Sequence, residues 1–336
     1  MLLAAALYPA ALLALTAIDV LWPQRSGPLA LTQIVAPHLL ATALLLVPLA
    51  LVRGARPLRL LLLAALLVAV ARFGDEFVSF GGPTPASGDT LSALTWNLEA
   101  GSVRGEQLLE VLGGTEASIV ALQELTPEHA SFLQADARVS ARFPHRLLTP
   151  RAGVLGIGLL SAYPIRQAEV RSTPGQLVTL DVHGKQLTVL NAHPLPGTIR
   201  TVTPLRIPFD FDPSRRDADI AALRAWIQPA LTRHDPVLVL GDYNVTDREP
   251  AYQTLANGLR DAHLIVGNGS GASWRPERFK ELPVGLLRID YLFSAGGLNP
   301  IAVTTDCTPR GGDHCLVKAS FAFGGGETPR QSVTSS

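Results

Sequence analysis

The sequence predicts an α/β fold: a four-layer sandwich of two face-to-face mixed β-sheets flanked by helices, preceded by about three transmembrane helices. Three observations predict it. Apolar residues dominate the first 80 positions far more than the rest of the 336-residue chain. Beyond them, short strand-like apolar runs alternate with stretches of helical periodicity, which is the pattern of layered α/β domains. Polar side chains then recur at the C-terminal ends of those runs, where a buried sheet presents groups to its rim.

The first 80 residues contain five Arg (Arg25, Arg53, Arg56, Arg59, Arg72), three acids (Asp19, Asp75, Glu76) and no Lys. Two stretches, Leu2–Trp22 and Gln33–Val52, are long enough to cross a hydrocarbon core of ~30 Å. A third, Leu60–Ala71, is shorter; snorkelling by Arg59 and Arg72, with Phe73, Phe77, Val78 and Phe80 beyond, extends it. A cleaved signal peptide is disfavoured, because the basic n-region is missing and two further apolar stretches follow. The connection RGARPLR carries Arg53, Arg56 and Arg59 without an acid. Short loops rich in Lys and Arg stay cytoplasmic, so the expected location is a multi-pass cell-membrane protein whose third helix delivers the downstream domain to the outer side.

The expected organisation is an anchor over residues 1–80, a Gly/Pro/Ser linker over 81–90, one globular domain over 91–324 and a disordered tail over 325–336. Removing the eight anchor charges from the 28 basic and 28 acidic residues of the chain leaves 23 and 25. A nearly neutral domain is a poor footprint for non-specific nucleic-acid binding, which needs a basic face to displace counterions, so nucleic acid is a possible partner but not the favoured one. The two cysteines, Cys307 and Cys315, exclude a disulfide scaffold and a thiolate cluster. They form one small loop outside the cytoplasm, or stay as buried thiols within it.

In the domain, LSALTWNL, SIVALQEL, GLLSAYPI, LVTLDV, QLTVLNAH, PVLVLGDYN and LRIDYLFS read as strands. Helices are clearest at Val103–Leu112 and Arg215–Leu231, where apolar residues recur at helical spacing. Five segments carry the chemistry: TWNLEAG with Asn97, LQELT with Glu124, NAHPLPG with His193, VLVLGDYN with Asp242 and Asn244, and the C-terminal pair RIDYLFS and GGDHCLV with Asp290, Asp313 and His314. Taken singly, each has a structural explanation: an Asn satisfying a turn, a Glu near a helix N-terminus, a packed loop histidine. Their joint presence in this order argues for a site.

In that order the motifs resemble those of the endonuclease/exonuclease/phosphatase family over nearly the whole of residues 91 to 323. GDYN stands where the family usually has GDFN, RIDY matches its R-hydrophobic-D-Y segment, and GDH stands where it commonly has SDH, with Gly312 in place of Ser. The resemblance implies a phosphoester hydrolase that uses Mg²⁺ or Mn²⁺, hard cations suited to oxygen ligands. It implies Glu124 as the principal metal ligand, with Asn97 and Asp313 beside it. Asp242 would orient and deprotonate the attacking water, and Asn244 would hold the phosphate or the nucleophile. His314, oriented by Asp290, would stabilise a phosphoryl oxygen, and His193 would contact the phosphate or the leaving group.

Arg151 and Ser161 in RAGVLGIGLLSAYPI, and Trp274 in SWRPERF, are weaker candidates, with a solvated loop or a packing anchor as their alternatives. Helices followed by such a domain resemble the membrane-bound branch that includes the VanJ-type proteins. That resemblance implies a lipid pyrophosphate or other phospholipid-like substrate at the outer membrane face. An extracellular nuclease, a sphingomyelinase-like phosphodiesterase and a catalytically dead binding module are the alternatives, and the intact polar set argues against the last.

Overall fold

The computed structural model describes residues 2–74, 88–202 and 207–324. The expected disordered tail, most of the expected linker and the extension of the third apolar stretch through Phe77, Val78 and Phe80 lie outside these residues. The N-terminal unit holds α1 (Leu2–Leu21), α2 (Gly27–Ile34), α3 (Ala36–Thr42), α4 (Val47–Ala50) and α5 (Arg56–Phe73).

The expectation of about three transmembrane helices is corrected here. Among the described residues α1 is the single helix long and apolar enough by itself to span a bilayer. The second apolar stretch lies largely in the later arm of a bent helix pair, Gly27–Ile34 and Ala36–Ala50, whose arms meet at 72°. Pro37 and Pro48 sit in the first turns of α3 and α4, where a missing N–H is tolerated, and each starts a new segment instead of extending the previous one. The third stretch forms the 18-residue α5, but that helix includes Arg56, Arg59 and Arg72. Apolar length therefore overcounts the spans where prolines restart helices and arginines lie within them.

The catalytic-size domain begins with β1 (Thr90–Asn97), α6 (Gly105–Gly114), β2 (Ile119–Gln123), α7 (Pro127–Ala135), α8 (Ala137–Arg142), β3 (His145–Thr149), β4 (Ile157–Ser161), β5 (Ile165–Arg171), β6 (Gly175–Val182) and β7 (Lys185–Ala192). It continues through β8 (Thr198–Val202), β9 (Ile207–Asp212), α9 (Ser214–Thr232), β10 (Val237–Asp242), α10 (Pro250–Ala256), β11 (Arg260–Asp261), α11 (Ala262–Val266), β12 (Asp290–Ala295), β13 (Leu298–Asp306) and β14 (Leu316–Phe323). One six-stranded sheet has the order β13-β14-β1-β2-β4-β3, the other β11-β12-β10-β7-β6-β5, and β8 pairs with β9 in a hairpin. The pairs β1·β2 and β7·β10 are parallel and the other main-sheet pairs antiparallel, so both sheets are mixed as expected.

Strand alternation builds the layers. In β10, Leu238 and Leu240 point into the core between the sheets with Ala93, Ala121, Leu159, Val189 and Ala319. Val237 and Val239 point the other way, onto Ile220, Leu223 and Ile227 of α9. Those three recur at i, i+3 and i+7, one face of a helix. On the first sheet Leu94, Trp96, Val120 and Leu122 face outward onto Leu108, Leu112, Leu133 and Phe143 of the helical layer. Helix, sheet, sheet, helix is the four-layer order the sequence predicts.

Candidate active site

The topology brings six strand ends to one rim. The parallel strands β1, β2, β7 and β10 end there, placing Asn97 and Asp242 at last positions and Glu124 and His193 immediately beyond. The antiparallel β12 and β14 begin there instead. Asp290, first in β12, pairs in register with Asp242, last in β10, and Asp313 and His314 lie just before β14. Every principal residue named from the sequence therefore converges at one place.

Local backbone explains the small residues in these motifs. Gly241 of GDYN has φ of 145°, and a Cβ there would lie 2.0 Å from the Ala192 carbonyl oxygen, so only glycine lets β10 run this close to β7. Glu124 and Asn244 occupy left-handed backbone, with φ of 55° and 51°. Such conformations carry strain in non-glycine residues and concentrate where side chains must be aimed. At Gly312 a Cβ would stand 3.0 Å from Val103 Cγ2, so glycine in place of the usual Ser fits a tightly packed position.

The centre of the site is one carboxylate oxygen. Asp242 Oδ2 accepts from Asn97 Nδ2 at 2.9 Å and from Asn244 Nδ2 at 3.5 Å. It lies 3.5 Å from His193 Nε2 and 3.6 Å from His314 Nε2. Burial pushes the Asp242 carboxyl up, but the His314 and His193 imidazoles outweigh it and hold it below the ordinary range. Its second oxygen accepts from the Asn244 backbone N–H at 2.9 Å. Asn97 also donates to Glu124 Oε1 at 3.1 Å, and burial raises the Glu124 carboxyl despite His193 nearby.

His314 Nδ1 meets Asp290 Oδ2 at 2.9 Å. Burial alone would lower the imidazole; the Asp290 and Asp242 carboxylates overcome it and carry His314 up to about 10. The pair therefore holds its proton on the ring. Asp290 is in turn fixed by its backbone N–H donating to Ser273 Oγ at 3.1 Å. His193, buried at 1% exposure, is braced by Nδ1 against the Val154 carbonyl oxygen at 3.2 Å. Its pKa is raised: burial opposes the charge, but Asp242 and Glu124 prevail.

Asp313 Oδ2 accepts from the Trp274 indole Nε1 at 2.8 Å, and its backbone N–H donates to Glu99 Oε2 at 3.1 Å. Trp274 thus orients a site carboxylate, a role the sequence left open. Ser161 is not brought into the site: its Oγ donates to the Tyr163 carbonyl oxygen. Arg151 lies on an exposed loop. Glu99, two residues after Asn97, was missed. Burial, with Asp313 and Glu277 beside it, lifts its carboxyl to about 7, and the signal in sequence was no more than an acid close to a singled-out Asn.

The chemistry of the donor set suits a divalent cation. Glu124, Asp313, Glu99 and Asn97 bring hard oxygens to one rim, and the buried Oδ1 atoms of Asp290 and Asp313 make no hydrogen bond. Among the described residues, Asp242, Asp290 and His314 form another group, whose potential ligand atoms all lie within 4.8 Å of one another. Its Asp290–His314 contact is already a hydrogen bond between ring and carboxylate, which explains the compactness without an ion.

A single polar rim fed by two mixed sheets, with carboxylates, amides and a carboxylate-oriented imidazole, defines a phosphoester hydrolase of the four-layer α/β class. The profile described as the "Endonuclease/Exonuclease/phosphatase family" matches residues 94–314, and the chain belongs to that family. Among solved structures, a truncated Caenorhabditis elegans TDP2 is 17% identical, with TM-score 0.51 over 69% of this chain and 97% of its own. The 3'-5' exonuclease NExo from Neisseria meningitidis is 20% identical with TM-score 0.52, over 69% and 100%. An AP endonuclease from Archaeoglobus fulgidus is 15% identical with TM-score 0.52, over 69% and 99%. At these identities the likeness is one of fold. No curated protein sequence matched the chain.

Proposed function

We propose that the chain is a membrane-anchored, divalent-metal-dependent phosphoester hydrolase acting on a phospholipid-like substrate, such as a lipid pyrophosphate, at the outer membrane face. The observation that carries this reading is the joining of the complete polar rim to an apolar N-terminal bundle. Exposed Leu3, Leu7, Leu45, Leu51, Leu60 and Leu67 make the bundle surface apolar, as a lipid-facing surface requires. His38 Nε2 lies 2.7 Å from the Leu286 carbonyl oxygen, and Arg248 stacks over Phe73, so the bundle is seated on the domain. An anchored site meets membrane substrates at high effective concentration. The resemblance to VanJ-type proteins is one of domain order, an apolar N-terminal segment followed by the hydrolase domain, and that analogy alone supports the substrate.

In this reading Glu124, Asn97 and Asp313 hold Mg²⁺ or Mn²⁺. A bound cation would neutralise the phosphoryl oxygens that shield the centre. Asp242, kept ionised by two imidazoles, orients a water and takes its proton. Asn244 fixes the phosphate or the nucleophile with its amide. His314, held protonated and oriented by Asp290, donates to a phosphoryl oxygen, and His193 contacts the phosphate or the leaving group.

In this reading the domain lies outside the cytoplasm. Leu58 and Ala55 at one end of α5 pack with Ala6 and Ala50, whereas Phe73 at its other end touches the domain. An 18-residue helix is about 27 Å long, so Arg53, Arg56 and Arg59 cluster at the end away from the domain, consistent with a cytoplasmic loop. Cys307 and Cys315 form a disulfide, which favours an oxidising compartment.

The test is hydrolysis by the full chain in detergent of polyprenyl pyrophosphate, sphingomyelin and single-stranded DNA, with Mg²⁺ and with EDTA. Activity should require the metal and favour the lipid pyrophosphate. Full turnover in chelator would remove the metal. Preference for DNA would favour the nuclease reading, to which the structure of D. rerio TDP2 with a single-strand DNA product lends support.

A further inference from the structure

A second polar concavity lies where the N-terminal unit meets the outer helical layer. This open groove has a volume of ≈ 510 Å³ and is lined by Arg25, Arg224, Gln228, Gln253, Thr254 and Asn257. None of the residues of the site described above takes part in it. Arg25 comes from the connection between α1 and α2, Arg224 from α9, and the amides and the hydroxyl from α9 and the α10 region.

Its charge is unbalanced. Two guanidinium groups face one groove whose lining contains no carboxylate among the described residues. Arg224 donates to Gln228 Oε1 at 2.8 Å and to the Asn257 carbonyl oxygen at 2.6 Å, both neutral acceptors. Its Nε–H is buried with no partner. Partial burial lowers the Arg224 pKa with no acid to offset it. Three other surface arginines, by contrast, pair with acids: Arg138 with Asp136, Arg166 with Asp181, Arg233 with Asp235. Gathering two like charges without a counter-charge costs free energy unless an anion joins them.

We propose that this groove binds a phosphate-bearing anion, gripped by Arg25 and Arg224 together with the side-chain amides around them. Guanidinium forks match the oxygens of a phosphate, and charge-assisted hydrogen bonds are the strong ones. Because one cation belongs to the anchor segment and the other to the catalytic domain, the bound anion clamps the two units. The groove lies beside the end of α1, where Trp22 is 72% exposed, and exposed Trp next to Arg is the composition of a membrane interface. An anionic lipid headgroup and a free phosphate share the required chemistry.

The test uses the full chain in nanodiscs. Thermal unfolding is followed in phosphatidylcholine discs, in discs containing phosphatidylglycerol, and in phosphatidylcholine discs titrated with inorganic phosphate. At least one anion should raise Tm saturably, and Arg25→Gln with Arg224→Gln should weaken its apparent affinity by about tenfold or more, the scale of losing charged hydrogen bonds. Arg233→Gln, at an exposed paired site, should leave the affinity unchanged, and Arg25→Lys with Arg224→Lys should restore part of it. A response to phosphatidylglycerol alone assigns a lipid headgroup, and a response to phosphate alone a soluble anion; both support the site. No response to either, or a response equal in the double Gln variant, overturns it. Chromogenic phosphoester hydrolysis should be the same in all variants within about twofold, since neither arginine belongs to the reacting centre.

Discussion

Asp242 Oδ2 sits among two amide N–H groups and two imidazole nitrogens, so even an isosteric change there is severe. Asp242→Asn replaces an acceptor with a group that must turn either a weaker oxygen or an N–H toward those donors. We expect kcat to fall by about 10²–10⁴-fold, the scale of losing a general base, with Mg²⁺ affinity nearly intact. Glu124→Gln should instead weaken Mg²⁺ affinity and rate together, and a metal titration of turnover separates the two outcomes. Asp290 and His314 should behave as one unit, because an imidazole that has lost its carboxylate loses its orientation and its raised pKa. In a double-mutant cycle, Asp290→Asn combined with His314→Ala should cost little more than His314→Ala alone; strictly additive losses would place the two residues in separate roles. At this scale the sequence was most legible. Asn97, Glu124, His193, Asp242, Asn244, Asp290, Asp313 and His314 each lie at, or within three residues of, the end of an apolar strand, and each reaches the rim. Glu99 and the Trp274–Asp313 hydrogen bond were not legible, since both depend on which loops meet across long sequence separations.

Strands were legible where apolar runs were dense, as in β1, β2, β7 and β10. They were hidden where the alternation was half polar: β5, with nearly every residue exposed, and β13, an edge strand, offer weak periodicity. Sheet order was beyond reach because pairings such as β1 with β14 join residues more than 200 positions apart. Also invisible was a buried polar layer crossing from one sheet to the other. Thr95 Oγ1 donates to Gln123 Oε1, Gln123 Nε2 to Asn191 Oδ1, and Asn191 Nδ2 to Gln176 Oε1, at 3.1, 2.8 and 3.2 Å. Gln176 ends the chain on Thr149 Oγ1 at 3.1 Å. Removing one member strands the others, and an unsatisfied buried polar group costs about 1–3 kcal/mol. Asn191→Ala should therefore lower Tm by several degrees and depress kcat as well. An unchanged Tm would show that the layer contributes no net stability.

For the whole molecule, the number of apolar spans in the N-terminal unit was the least legible feature. Apolar length alone overstates spans when prolines restart helices and arginines cap them. The bundle nonetheless packs with order. Leu12, Ala36, Leu40, Ala65 and Phe73 form a cluster toward the domain, and Ala6, Ala50, Ala55 and Leu58 one toward the other end, so α1 and α5 run side by side in the same direction. A reporter active only outside the cytoplasm, fused after Ser336, should give signal in this arrangement. Neutralising Arg53, Arg56 and Arg59 should reduce that signal, because the loop would no longer resist translocation. A cytoplasmic signal from the wild-type fusion would instead leave α5 on one side of the membrane, and the lipid-pyrophosphate reading would give way to an intracellular phosphodiesterase.

The polar layer has a further consequence for how two separate sheets share one reacting centre. Apolar faces attract without direction, so burial by itself opposes a slide of one sheet over the other less sharply than a directional contact does. Hydrogen bonds of about 3 Å permit no such travel. Gln123 immediately precedes Glu124, and Asn191 lies two residues before His193, so the bond between Gln123 and Asn191 works as a dowel between two plates. It sets the height at which groups from one plate face groups from the other. Sliding the plates out of alignment would separate Glu124 from His193 and Asn97 from Asp242.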